Sequence, residues 1–276
     1  MSSTINTNIA SLVAQQNLST SNSNLKTSVQ RLSSGYRVNS SADDAAGLGR
    51  ADQLKGQSRM IQASMRNIND GISAMEISDK AAEQITNIVT RMGELAASSA
   101  QGTLDSTNRS YYSDEFDKLK NEIDRISNTT EFGGYKLNNG DTATLTMYIG
   151  FKNTSNDQLA VTLKVLTTGS NGLNLSAGIL ATQDGALSAL DSISSALKTI
   201  NDARAIYGAS TNRLSSALSN LQVTFTNYQA AESRIRDADF AYETAQYTKN
   251  QIMVQAGTSV LAQANTLPQN ALSLLR

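Results

Sequence analysis

At 276 residues the chain has room for one large domain or two modest ones. Its formal net charge is −1, which gives no electrostatic footprint for nucleic acid or an anionic membrane. It has no His and no Cys, which excludes imidazole and thiolate metal sites, Ser–His and Cys–His nucleophile pairs and disulfides. Only 5% of residues are aromatic and Trp is absent, a composition suited to thin helix-on-helix seams.

The first 25 residues carry no charge, yet Ile5, Ile9 and Leu12 recur at helical spacing. The spacing predicts a helix over about 5–32, closed at Gly35. The start lacks a basic n-region and a continuous apolar run, so no secretory signal peptide is expected. Ser40, Ser41, Asp43 and Asp44 supply cap candidates for a long second helix over about 44–100. Its stripe runs Leu54, Ile61, Met65, Ile68, Ile72, Met75, Ala82 and resumes with displaced phase at Ile85, Ile88, Met92 and Leu95. Gly102 is the expected stop. A third helix over about 108–127 aligns Phe116, Leu119, Ile123 and Ile126 on one face and ends near Gly133-Gly134.

The middle changes character. Residues 142–150 and 158–166 are rich in Thr, Val, Leu and Tyr with partial alternation, and 153–157 between them is a loop, so one small β-hairpin is expected. The strongest periodicity follows. Stepping by four and three from Ala186 through Leu190, Ile193, Leu197 and Ile200 to Leu218, Leu221 and Ile235 gives a mostly apolar seam, a helix of about 75 Å at 1.5 Å per residue. Arg204, Thr211 and Glu232 interrupt it and are expected to fix register or reach its edge. A last helix runs from about Phe240 toward Gln263, with Phe240, Tyr247, Val254 and Leu261 seven apart, and Pro268 is placed to stop it. Residues 250–275 again carry no charge, and Met253, Val260 and Leu267 keep helical spacing.

Each long helix has a stripe that needs a partner. The expected fold is mainly α: an elongated antiparallel helical bundle or coiled coil with one small β-hairpin and both termini at the same end. Two alternatives stay open for the uncharged ends: frayed polar tails, or segments that become buried against each other and against other copies. No stretch reaches about 18 consecutive apolar residues, so no membrane span is expected. No catalytic, cofactor-binding or metal-binding constellation stands out.

Three stretches then carry a family resemblance. RLSSGYRVNSSADDAAGL at Arg31–Leu48 resembles the N-terminal hallmark of bacterial flagellins. ESRIRDADFAYETAQYTKNQIMVQAGTSVLAQAN at Glu232–Asn265, with LPQNALSLLR at Leu267–Arg276, resembles the C-terminal hallmark. NEIDRISNTTEFGGYKL at Asn121–Leu137 is similar to the family's third helix and exit loop. The resemblance implies a short flagellin. Residues 1–42 and 237–276 would form an inner core domain, and 43–236 an outer core domain with its hairpin at about 142–166. No further outer domains would follow.

The resemblance also implies a filament subunit for swimming motility that lies outside the cell and is exported without a cleaved signal. Its partners would be other flagellin copies, an export chaperone at the C-terminal region, and the filament cap and hook-junction proteins. The polymerisation seams expected are Ile5, Ile9, Leu12, Phe240, Tyr247, Val254, Leu261 and Leu267, with ends that order only on joining. Arg91, Glu94, Leu95 and Glu115 match positions that the flagellin-sensing Toll-like receptor of animals contacts and that neighbouring subunits use. Gly93 departs from the charged residue common there, and Tyr111-Tyr112 is bulkier than usual. The alternatives are a hook–filament junction protein, with flagellin-like termini, and a non-flagellar coiled-coil rod, which would need an anchor or a globular head. A flagellin carrying a zinc protease would need HExxH, and the chain has no His.

Overall fold

The computed structural model describes residues 7–175 and 180–273, with side chains described as far as Thr266. Among these residues the chain order is α1 (Ile9–Ser34), α2 (Ala45–Ser99), α3 (Ser106–Thr129), β1 (Glu131–Phe132), β2 (Tyr135–Lys136), β3 (Thr144–Tyr148), β4 (Gln158–Thr162), α4 (Gln183–Arg236) and α5 (Phe240–Ser273). β1 pairs with β2 and β3 with β4, both antiparallel. The chain is mainly α, as its periodicity predicts. Two compact units emerge. One holds the described residues up to Ser58 and those from Thr226 onward; the other spans Arg59–Phe225.

The second unit holds most of the buried apolar side chains. Along α2, Ser64, Ile68, Gly71, Met75, Ser78, Ala82, Ile85, Val89, Met92, Ala96 and Ser99 are all buried and follow one another by four and three without a break. The displaced phase expected after Met75 is therefore absent. The small residues Ser78 and Ala82, and Val89 one position beyond Ile88, carry the seam through. On α4 the buried positions are Ala186, Ala189, Ile193, Ala196, Ile200, Ala203, Tyr207, Ser210, Leu214 and Leu221. The expected alternates Leu190, Leu197, Arg204, Thr211 and Leu218 are only half-buried. Small side chains occupy the closer positions because they let two helices approach. The two helices run antiparallel: a Cβ on Gly71 would lie 3.5 Å from Leu214, one on Gly93 would lie 3.6 Å from Ile193, and between them Arg204 Nε donates to Asp79 Oδ1 at 2.8 Å.

α3 starts at Asp105, whose carboxylate accepts from Asn108 N at 2.9 Å, and buries Phe116 and Ile123. The β3–β4 hairpin sets Met147 opposite Leu159 and buries Leu159 and Val161 on one face, as strand alternation demands. Buried hydroxyls tie the loops to the helices: Ser99 Oγ donates to Leu180 O at 2.6 Å, and Ser127 Oγ to Leu166 O at 2.8 Å. The fully buried Tyr207 hydroxyl donates to Asn138 Oδ1 at 3.0 Å, and burial pushes that phenol above its ordinary range. The short β1–β2 ladder around Gly133-Gly134 is an addition, since the sequence marks only a turn there.

Leu214 is fully buried, while Leu187 on the same helix is half-exposed. Leu214→Ala is expected to cost about 2–5 kcal/mol in urea unfolding, and Leu187→Ala to stay within about 0.5 kcal/mol. Equal losses would place α4 in the wrong rotation.

Candidate interaction surface

The first unit pairs α1 with α5. α1 is capped by Asn8, whose side-chain oxygen accepts from Ser11 N at 3.1 Å, and ends at Gly35 in the left-handed conformation (φ 74°) with Gly35 N donating to Arg31 O. α5 is capped by Asp239, which accepts from Ala241 N and Tyr242 N at 2.9 and 3.1 Å. The helices run antiparallel. Ser11 Oγ donates to Asn265 Oδ1 at 2.8 Å at one end, and Arg31 Nη1 donates to the buried Glu243 carboxylate at 2.9 Å toward the other.

Pro268 does not end α5, which continues to Ser273. A proline lacks the N–H that would bond the carbonyl four residues back, here Ala264 O. That carbonyl instead accepts Asn8 Nδ2 at 2.8 Å. The helix passes its proline because a side chain of α1 takes up the freed acceptor.

The contact between the two helices interleaves small residues with larger ones. On α1 it follows Ser11, Ala14, Leu18, Ser21, Leu25, Ser28 and Leu32, with Ala14, Ser21 and Ser28 buried. On α5 it follows Glu243, Tyr247, Asn250, Val254, Gly257, Leu261 and Ala264. Gly257 sets the spacing, since a Cβ there would lie 3.2 Å from Leu18 Cδ1 and 3.9 Å from Leu18 Cα. Tyr247, Val254 and Leu261 therefore lie on this internal seam, half-buried. The other apolar residues turn outward: Ile9, Leu12, Val13, Ile252, Met253, Val260 and Phe240 are exposed, from 50% at Met253 to 68% at Phe240. Thus Ile9, Leu12, Met253 and Val260 do not bury one another within the chain, because the seam between the helices is already filled. Ile5 lies outside the described residues, as does the side chain of Leu267. A run of large apolar side chains left on the surface marks an interaction site.

The segments linking these helices to α2 and α4 clasp each other. Arg37 N donates to Arg236 O at 2.7 Å, Ala238 N donates to Gly35 O at 2.9 Å, and Tyr36 forms a bridge with Asp237. The Arg236 guanidinium stacks 4.4 Å from the Tyr36 ring centre, and one of its nitrogens lies 3.6 Å from the Asp52 carboxylate. Asp44 accepts from Gly47 N at 2.8 Å at the start of α2, and Asp43 folds back on Ser40, whose backbone N–H and hydroxyl hold its carboxyl below the usual range. The sequence names the caps but gives no sign of the clasp, whose partners lie about two hundred positions apart.

In the second unit Arg91 joins two carboxylates, Glu94 at 2.8 Å and Glu115 at 3.1 Å, on an exposed face. Its hydrogen bonds to Glu94 and then Glu115 push the guanidinium above its ordinary range. Leu95 does not share that face. It is 2% exposed and belongs to the core, one position from the Ala96 seam. Among the described residues no His, Cys, Asp or Glu cluster is arranged to hold a metal, and no helix is long and apolar enough to cross a membrane.

Two family profiles match the chain: the bacterial flagellin N-terminal helical region over residues 5–143 and the bacterial flagellin C-terminal helical region over 190–275. Flagellin of Halalkalibacterium halodurans is 35% identical over 272 residues, covering 99% of each chain. Flagellin A of Vibrio cholerae is 33% identical over 379 aligned positions, covering both chains in full. The crystal structure of Bacillus cereus flagellin superposes with a TM-score of 0.50 at 29% identity, covering 56% of this chain and 88% of that one.

Gly257→Val adds a branched side chain where Leu18 already sits. It is expected to destabilise the α1–α5 pair by about 1–3 kcal/mol, read as faster hydrogen exchange in α1 and α5 with unchanged protection in α3.

Proposed function

This chain belongs to the bacterial flagellin family, and we infer that it is a structural subunit of a flagellar filament, built from copies of itself outside the cell for swimming motility. One observation carries the mechanism. The α1–α5 pair fills its own seam with small residues interleaved with Leu18, Leu25, Tyr247, Val254 and Leu261, and holds Ile9, Leu12, Ile252, Met253 and Val260 out to solvent. Burial of such side chains is worth about 1.5–3 kcal/mol each when complete, and only neighbouring copies offer that burial. The exposed surfaces differ on the two helices, so contact between copies is heterologous, the kind of contact from which an open helical filament can be built.

The finer reading follows from this. The inner core comprises residues 1–42 and 237–276, and the outer core 43–236. The uncharged ends order fully on joining the filament, because ordering costs about 1–2 kcal/mol per residue and the offsetting burial lies between copies. Export proceeds without a cleaved signal. A chaperone shields the C-terminal region until then, and cap and hook-junction proteins meet the same outward faces.

Ile9→Asp and Val260→Asp place a charge on exposed positions, so the monomer should keep its helix content. Each is expected to abolish seeded filament growth in negative-stain images. Filaments of normal length from both variants would overturn the assembly face.

Recognition by the flagellin-sensing Toll-like receptor of animals is the second partner proposal. The exposed Arg91–Glu94–Glu115 network supports it, with Leu95 acting only as packing beneath. Arg91→Ala removes a cation able to make several charge-assisted bonds. It is expected to weaken monomer signalling in a receptor reporter by at least about tenfold, the equivalent of about 1.4 kcal/mol, without changing the unfolding midpoint. An unchanged response would refute the receptor role.

A further inference from the structure

We propose that Phe240 of one copy seats in a groove on α1 of the next, with Lys26 of that groove facing the acidic residues that flank Phe240. This rests on the filament reading and adds to it the knob, the hole and the charges that align them.

The knob is unpartnered for a geometric reason. Phe240 continues the α5 seam register one step before Glu243. The matching next position of α1, three residues past Leu32, is Gly35, which ends the helix and presents no side chain. Phe240 is left 68% exposed, more than any other large apolar side chain of α1 or α5. Asp237 and Asp239 stand beside it. Asp239 uses one carboxylate oxygen to cap α5, and among the described residues the Asp237 side chain joins no ion pair.

The hole lies on α1 itself. Leu25 and Val29, one turn apart, wall a groove of about 480 Å³ whose rim includes Lys26, Ser33 and Asn39. Its walls are mostly apolar, and Val29 is 48% exposed within it. Lys26 forms no ion pair among the described residues. One molecule thus carries an apolar groove edged by a free cation and an exposed aromatic ring edged by two acids. Seating the second in the first buries both apolar surfaces and pairs the charges. Knob and hole are different surfaces of one chain, so each copy that donates a knob still offers an empty hole. Complementary charge at the rim fixes orientation and speeds encounter.

The chain has no cysteine, so Val29→Cys and Phe240→Cys can be combined in one full-length chain. Oxidation of seeded filaments is expected to give a covalent ladder of dimers, trimers and longer species, while unpolymerised protein gives monomer. A short bis-maleimide serves where the sulfurs miss the window of about 4.4–6.8 Å between Cα atoms that a disulfide needs. Filaments that form and yield no ladder with either reagent overturn the contact and leave the filament reading standing. Wild-type protein that fails to extend seeds overturns both. Should the double-cysteine chain not polymerise, charge reversal decides. Lys26→Glu and Asp237→Lys are each expected to slow seeded growth at least about tenfold, and together to restore it. Unaffected growth in the single variants, or no recovery in the pair, overturns the proposal.

Discussion

Gly257 lies so near Leu18 that α1 and α5 meet almost backbone to backbone, and the rest of the first unit follows from that closeness. In that seam Gly257, Ala14, Ser21, Ser28 and Ala264 alternate with Leu18, Leu25, Tyr247, Val254 and Leu261, which fill it and leave no place for further large side chains. Isoleucine, methionine and valine are therefore displaced to the far sides of both helices. The same closeness brings Asn8 within reach of Ala264 O, which lets α5 run past Pro268. Closure of the pair and exposure of its apolar residues are one event, because the side chains excluded from the seam have no other place within the unit.

The second unit solves the opposite problem. Its heptads on α2 and α4 also use small residues, but Ile, Met, Tyr and Leu alternate with them and stay inside. Three layers contribute: the two long helices, α3, and the β3–β4 hairpin that covers them with Leu159 and Val161. Polar groups there are mostly satisfied locally, as with Tyr207 and Asn138, although Asn138 Nδ2 and Arg109 Nη1 remain buried without a partner. A unit that buries its own large residues is stable as a single chain. A unit that exposes them depends on neighbours.

Helix positions, the hairpin and the caps at Asp44 and Gly35 were legible in the sequence, since periodicity and turn chemistry are local. Rotation of the seams was less so. Stepping along the largest apolar residues found Ile193, Ile200, Tyr207 and Leu214 but passed over Ala189, Ala196, Ala203 and Ser210. A hydrophobic stripe reports where large side chains lie, whereas the closest approach of two helices is set by small ones. The same attention to large residues grouped the exposed Ile9 and Leu12 with Tyr247, Val254 and Leu261 of the internal seam and left Gly257 unnoticed. Leu95 was grouped with Arg91 through the family resemblance, whereas its place in the apolar stripe of α2 already pointed to the core that takes it in. The clasp of Tyr36, Arg236 and Asp237 depends on pairing across about two hundred residues, which no local pattern encodes.

That long separation governs the order of events in the cell. The bond from Asn8 to Ala264 spans 256 positions. Contacts between such distant positions carry a loop-closure cost and form slowly unless the intervening chain is already compact. α1 is made first and its partner last. Throughout synthesis the N-terminal segment has no seam to join, and the β3–β4 hairpin, α3 and the long helices can settle before it does. The terminal pair is thus the last part of the fold to close, so an agent acting before closure meets α1 and α5 as separate strands rather than as a finished coiled pair.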